Sequence, residues 1–261
     1  PIISELILAV LFLKIHLIAF LLVFQVCSIS AQCISSNSAF SASGETLKYA
    51  AYFNWKAIWV KGGEAVFRAE QTGNFYHFSV QAYSMPKWRW VYDLNTKIDA
   101  YMNRHTMQAV SYASNTYEDK HWKREKITFW TDKVRYAQWS DSYPKGEQSV
   151  VTRHACAYDL LNEVYAARNV DLLAYKPGQN IPFNVYFTQK LTTVYGKVIG
   201  PETIITKNGK KYDCLKCMSN SIPGSIFDSS EPVVVWLTND ARHIPVCVQC
   251  KINVGYIKVY L

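Results

Sequence analysis

The feature that most constrains this chain is a two-residue alternation of apolar and polar side chains. Turn residues interrupt it about every 8–12 positions, the pattern of an antiparallel sandwich or barrel. The stretch "TLKYAAYFNW" (46–55) places Leu47, Tyr49, Ala51 and Phe53 on one face. "GEAVFRAEQ" then follows a Gly62-Gly63 turn, and "FYHFSVQAY" (75–83) follows Gly73-Asn74. "KIDAYMN", "MQAVSYASNTYE", "HWKREKITFW", "KVRYAQWSD" and "EQSVVTRH" continue the series, with Asp132-Lys133 and Pro144-Lys145-Gly146 as turn signals. A second series holds "IPFNVYFTQ", "LTTVYGKVIG", "ETIITKNGKKYDCLKCM", "PVVVWLT" and "HIPVCVQCKINVGYIKVYL". Within it Asn208-Gly209 is the strongest hairpin signal. Aromatic residues make up 15% of the chain, which favours strands. The expected fold is mainly all-β: an antiparallel, partly open β-barrel or strongly curved sheet with one helix.

That helix is "AYDLLNEVYAARNV", where Leu160, Leu161, Val164, Tyr165 and Arg168 recur with helical period. Asp159 and Glu163 fall four residues apart and read as a solvated face. Ahead of the strands, "LIAFLLVFQVCSISAQ" (17–32) is an apolar run ending in small residues, preceded by Lys14 and His16. This is the order of a secretory signal peptide, cut after Ser30 or Ala31. The domain expectation is a signal peptide over 1–31, with an over-extended start, and a single antiparallel β domain over 32–261. Neither Cys27 nor Cys33 follows a small residue, so no lipid anchor is expected.

The order of motifs is familiar. "SAQC" closes the leader, "GETLKYAAYFNW" and "IWVKGGEAVF" follow, and "HACAYDLL" opens the helix. "YKPGQNIPF", "GKKYDCLKC", "VVVWLTNDARHIPV" and a terminal "VGYIKVYL" complete the series. The mature chain resembles the domain-of-unknown-function 3108 family of exported Gram-negative proteins. The resemblance implies a barrel-like antiparallel fold with one helix and no established reaction. No catalytic residues carry over from it.

Two Cys-x-x-Cys pairs, Cys214/Cys217 and Cys247/Cys250, raise the question of zinc. Both fall in strands, where residues i and i+3 point to opposite faces, so neither pair forms a clamp unless its strand bends. Alternation puts Cys214 and Cys250 inward, and Cys217 and Cys247 outward. No metal and no cofactor are expected. Cys33 and Cys156 are the candidate disulfide, which would staple the new N-terminus to the folded body.

No Gly-x-Ser-x-Gly, His-Glu-x-x-His or Walker loop is present, and the histidines are scattered one to an element. His154 beside Cys156 reads as a turn histidine next to a structural cysteine. The chain is therefore expected not to be an enzyme. Its formal net charge of +8 suits an anionic partner, but nucleic acid is a poor candidate without a recognition motif. Two stretches mix tryptophan with basic residues. "MPKWRWVYD" carries Lys87, Trp88, Arg89, Trp90 and Tyr92, and "HWKREKITFW" adds Trp122 and Trp130. The first is either a short strand with its aromatics in the core or a binding edge at one mouth of the barrel. Two functions follow. One is an exported protein, periplasmic or peripheral to the outer membrane, that holds an apolar or amphipathic ligand such as a lipid or lipid-linked glycan. The other is an envelope interaction protein with a filled barrel that docks a partner protein or the outer membrane. A hollow or a filled interior separates them.

Overall fold

The computed structural model describes residues 33, 39, 44–55, 58–187, 189–220, 231–252 and 255–261. Every described residue belongs to one compact unit, 31–261. The expected leader lies outside the described residues. The elements are β1 (Glu45–Trp55), β2 (Ile58–Thr72), β3 (Phe75–Ser84), β4 (Leu94–Asn103), β5 (Ala109–Glu118), β6 (His121–Phe129), β7 (Lys133–Ser140), β8 (Glu147–Thr152), β9 (Ala157–Asp159), α1 (Leu160–Ala167), β10 (Ile181–Phe187), β11 (Lys190–Ile205), β12 (Lys211–Ser219), β13 (Val233–Thr238), β14 (Pro245–Ile252) and β15 (Gly255–Tyr260).

All of these strands belong to one sheet, in the order β8-β7-β6-β5-β4-β3-β2-β1-β15-β14-β13-β12-β11-β10-β9. Every pairing is antiparallel except β9 with β10, so the sheet is mixed. The hydrogen-bonded ladder does not close into a barrel, because β8 and β9 are its two ends. Side chains bridge the seam instead. The Tyr186 hydroxyl donates to the Thr152 carbonyl at 2.9 Å and accepts the His154 amide at 2.8 Å. Further along, Gln189 Nε2 donates to Glu147 Oε1.

Two expected boundaries move. Gly62-Gly63 is not a turn, because β2 runs through both residues. Ala51 pairs with Gly63 and Tyr52 with Lys61, leaving Gly62 as the extra residue of a β-bulge. Likewise "LTTVYGKVIG" and "ETII" form one strand, β11, with a register shift between Val198 and Gly200. In both places a glycine that reads as a chain reversal bends a continuous strand.

The interior of the curled sheet is filled. Phe78, Met102, Met107, Ala100 and Ala166 are fully buried in one cluster that spans β2 to β7, α1 and β10. The α1 helix packs on β4, β9, β10 and β5, and its Tyr165 ring stacks on Phe78 with centroids 3.9 Å apart. Such pairs add about 0.5–1.5 kcal/mol beyond area burial. A smaller cluster, Val170, Leu172, Ile181, Val198 and Leu215, continues the same core under β11 and β12.

A third cluster overturns the expected faces of the cysteines. Cys214, Trp236, Val246 and Cys247 form a separate buried group, with Ile204, Tyr212, Val234 and Tyr260 packed on it. Ile204 and Tyr212 come from the outer end of the β11–β12 hairpin, whose turn carries Lys207 Nζ to 5.7 Å above the Tyr52 ring on β1. The sheet face that would meet water is thus a second core. Cys247 is buried rather than solvated. Cys214 belongs to this outer cluster, whereas Cys217 packs on the helix side with Val198 and Leu215. Alternation gives which residues share a face, but not that both faces are covered.

Candidate functional site

The mixed aromatic and basic stretch Met85–Asp93 is neither strand nor core. Pro86 opens a 3-10 turn, Pro86–Trp88, where its missing N–H costs nothing. Val91 and Tyr92 amides donate to the Trp88 carbonyl at 2.9 and 3.2 Å, which tightens the chain into a short ridge. β4 starts at Leu94, so the chain reverses over 88–92 rather than at Asp93-Leu94-Asn95.

The bulge in β2 supports the ridge. Gly62 accepts the Met85 amide at 2.8 Å. It also leaves room for the Phe53 ring, which would stand 2.6 Å from any Cβ added there. Phe53 then meets Trp88 edge to face, with centroids 5.3 Å apart. Trp88 in turn lies 6.4 Å from Trp90, tilted by 33°. Trp90 is 71% exposed. Lys87 Nζ sits 5.5 Å over the Trp88 ring, and Arg89 pairs with Asp93 at 3.6 Å. The structure therefore gathers Lys87, Trp88, Arg89 and Trp90 on one ridge. Tyr92 does not join them. Its hydroxyl donates to Glu118, and burial together with that bond raises its pKa. The Asp93 amide donates to the Asp119 carboxylate at 2.8 Å and the Asp119 amide to the Asp93 carbonyl at 2.9 Å, which ties the ridge to the β5–β6 turn.

Strand order extends this edge. The start of β2, the β3–β4 ridge, the β5–β6 turn and the β7–β8 turn all lie at the same end of the sheet. That end carries exposed Ile58, Trp90, Val91, Tyr117 and Tyr143. Trp122 starts β6 at this end, under the Arg124 guanidinium at 5.7 Å. Trp130 lies at the opposite end, after β6, so the two tryptophan-rich stretches do not form one surface.

Cys33 and Cys156 are joined as a disulfide, with Cα atoms 4.6 Å apart. Among the described residues, no three His, Cys, Asp or Glu side chains gather as a metal site. Among the described residues the four other cysteines, Cys214, Cys217, Cys247 and Cys250, are buried or half-buried thiols, and desolvation raises the pKa of each.

The residues missed in the sequence lie on α1. Asp159 is fully buried, and its carboxylate caps the helix, accepting from the Leu161 and Asn162 amides at 3.1 and 3.0 Å. The Asn162 side-chain amide donates to Asp159 Oδ2 at 2.5 Å and to the Tyr101 carbonyl at 3.3 Å. Burial pushes the Asp159 carboxyl up to about 6 against these bonds. Burial, then the Asp159 charge, pushes Glu163 up to about 8. Arg168 is 3% exposed and clamps Glu45 with two bonds of 2.7 and 2.9 Å. Its Nε donates to the Arg242 carbonyl at 2.9 Å, which locks the helix end to the β13–β14 turn. Leu160 and Val164, expected inside, are exposed. The expected solvated face is thus the buried one. Asp before a helical run is a capping signal, and it was the available clue.

The family described as "Protein of unknown function (DUF3108)" matches residues 48–261. The chain belongs to the DUF3108 family. No curated protein matches it. Among solved structures, this DUF3108 chain is similar to a beta-barrel-like protein of the domain of unknown function DUF1849 from Brucella abortus. The two are 8% identical, the match covers 82% of this chain and 94% of that one, and the TM-score is 0.54. The likeness is one of fold alone.

Proposed function

We propose that this DUF3108 protein is a non-enzymatic, exported interaction module, whose filled, curled sheet presents the Trp88–Trp90 ridge to an anionic lipid surface of the cell envelope. The observation that carries the reading is Trp90, 71% exposed on a ridge built from Gly62, Phe53 and Trp88. Exposed tryptophan is costly at about 25 cal/mol per Å2 of apolar area unless something covers it. Trp rings settle at the boundary of headgroups and acyl chains, while lysine and arginine stems reach anionic headgroups. Lys87 lies over the Trp88 ring, Arg89 sits between the two tryptophans in the chain, and the net charge of +8 acts in the same sense. The contact proposed is peripheral; among the described residues no helix is long and apolar enough to cross a membrane.

The other expectation, a lipid or lipid-linked glycan inside the barrel, is the weaker one. The helix and the Phe78, Met102 and Tyr165 side chains occupy the interior. Two hollows found among the described residues, of about 270 and 690 Å3, both open at the surface. Co-sedimentation tests the docking reading. Wild-type protein is expected to pellet with vesicles containing phosphatidylglycerol and not with pure phosphatidylcholine. Trp90→Ala and the Lys87→Ala/Arg89→Ala pair should each lower the partition at least tenfold at an unchanged melting temperature. Equal partition of wild type and Trp90→Ala would sink the reading.

A further inference from the structure

A second feature, independent of the ridge, lies where the β11–β12 turn crosses the outer face of β1 and β2. A hollow of about 270 Å3 opens there, lined by Lys48, Lys61, Lys207, Glu64, Tyr52 and Tyr260 among others. The turn that brings Lys207 to it is rigid. The Thr206 amide donates to the Lys210 carbonyl at 2.9 Å, and the Thr206 hydroxyl donates to the Asn208 side chain at 2.5 Å and the Lys210 carbonyl at 3.0 Å. Gly209 supplies the positive φ of 83° that the hairpin needs. The ammonium is thereby held 5.7 Å above Tyr52, whose ring meets Tyr260 edge to face at 6.0 Å.

The charges do not balance. Glu64 is engaged by Lys61 at 2.5 Å and by the Tyr83 hydroxyl at 2.5 Å. These two bonds, the Lys61 one first, hold its carboxyl below the usual range, so it stays ionised. Among the described residues, Lys48 and Lys207 make no salt bridge, and both are exposed. Three ammonium groups thus face the Glu64 carboxylate and the Leu261 α-carboxylate around a hollow too large for a lone inorganic anion and just below the about 300–1,000 Å3 of ordinary ligand pockets.

We propose that this hollow binds a phosphoryl group carried on a sugar-sized molecule. Lysine is a point-charge binder of phosphate, and two or three converging ammonium groups match a doubly charged anion better than a single carboxylate. Ionised Glu64 stands ready to accept a hydroxyl, which gives the sugar ring a polar anchor. The exposed edges of Tyr52 and Tyr260 give it an apolar wall.

Calorimetric titration of the whole chain with glucose 6-phosphate, glucose and inorganic phosphate, at low and at physiological salt, tests this. Glucose 6-phosphate is expected to bind saturably and tighter than either of the others. The Lys48→Ala/Lys207→Ala variant should bind it at least tenfold more weakly at an unchanged melting temperature, and Trp90→Ala should bind it as wild type does. Undiminished binding by the lysine variant overturns the site, as does the absence of saturable binding. Glucose binding equally well removes the phosphoryl group from the proposal, and inorganic phosphate binding equally well removes the sugar.

Discussion

At the scale of single residues, glycine 62 carries more than its size suggests. It is the unpaired residue of the β1–β2 bulge, the acceptor of the Met85 amide, and the gap into which Phe53 fits. An alanine there would place its Cβ 2.6 Å from the Phe53 ring. That ring supports Trp88, so it cannot swing away without disturbing the ridge. Gly62→Ala is expected to cost about 1–3 kcal/mol, the usual range for overpacking. It should also change the near-ultraviolet circular dichroism of the tryptophans. Urea unfolding and the spectrum check both; an unchanged tryptophan signal would detach the bulge from the ridge. The sequence marks Gly62-Gly63 as a break in pattern, but a break reads equally as a turn or a bulge. Only the pairing of Ala51 with Gly63 and Tyr52 with Lys61 decides it.

At the scale of elements, α1 shows why periodicity can mislead. Leu161 and Tyr165 are buried as their spacing predicts, but so are Asp159, Asn162 and Glu163, while Leu160 and Val164 face outward. Hydrophobic period assumes that the core is apolar. Here the polar face is turned inward because Asp159 caps the helix from inside the sheet and Asn162 reaches the Tyr101 carbonyl. Burial disfavours the charged form of each carboxyl, and the cost has a pH signature. Glu163 rises from 4.5 to about 8 and Asp159 from 3.8 to about 6. The folded state therefore holds protons that the unfolded chain releases. The contribution of these two carboxyls to stability is greatest near and below pH 4 and is lost as pH rises, through about 6 for Asp159 and about 8 for Glu163. One pKa unit is about 1.4 kcal/mol, so the Glu163 share amounts to a few kcal/mol. Glu163→Gln keeps the shape without the titration. It is expected to raise the urea midpoint at pH 8 and to change it little at pH 4.5. A midpoint shift equal at both values would show that the Glu163 carboxyl is not held protonated by the fold.

At the scale of the whole molecule, the curved, partly open sheet was legible and the side-chain bridges across its seam were not. Strand alternation, the Gly73-Asn74 and Asn208-Gly209 turns and the single helix all follow from local sequence. The seam depends instead on contacts between distant segments, such as Tyr186 with Thr152 and Gln189 with Glu147. The same holds for the Lys48–Lys207 hollow, whose lysines are 159 positions apart in the chain (207 − 48). The cysteines combine both scales. The Cys33–Cys156 bridge spans 123 residues. On the chain-entropy account a loop of that length contributes about 4–5 kcal/mol, with about 2–4 typical of measured bridges. Burial raises the other four thiols, to about 11 for Cys214, Cys217 and Cys250 and about 12 for Cys247. Thiolate is the attacking species in disulfide exchange, so at neutral pH these four leave the bridge alone. A domain with these four free thiols can then keep a single bridge in an oxidising compartment, as the proposed export would require. Protein trapped by rapid alkylation in its own cells should show Cys33 and Cys156 unlabelled, and the other four labelled only after unfolding. The Cys33→Ser/Cys156→Ser variant should melt several degrees lower with its fold retained. If alkylation instead finds Cys33 and Cys156 fully reduced in the cell, the bridge does not form where the protein works and the exported reading fails with it.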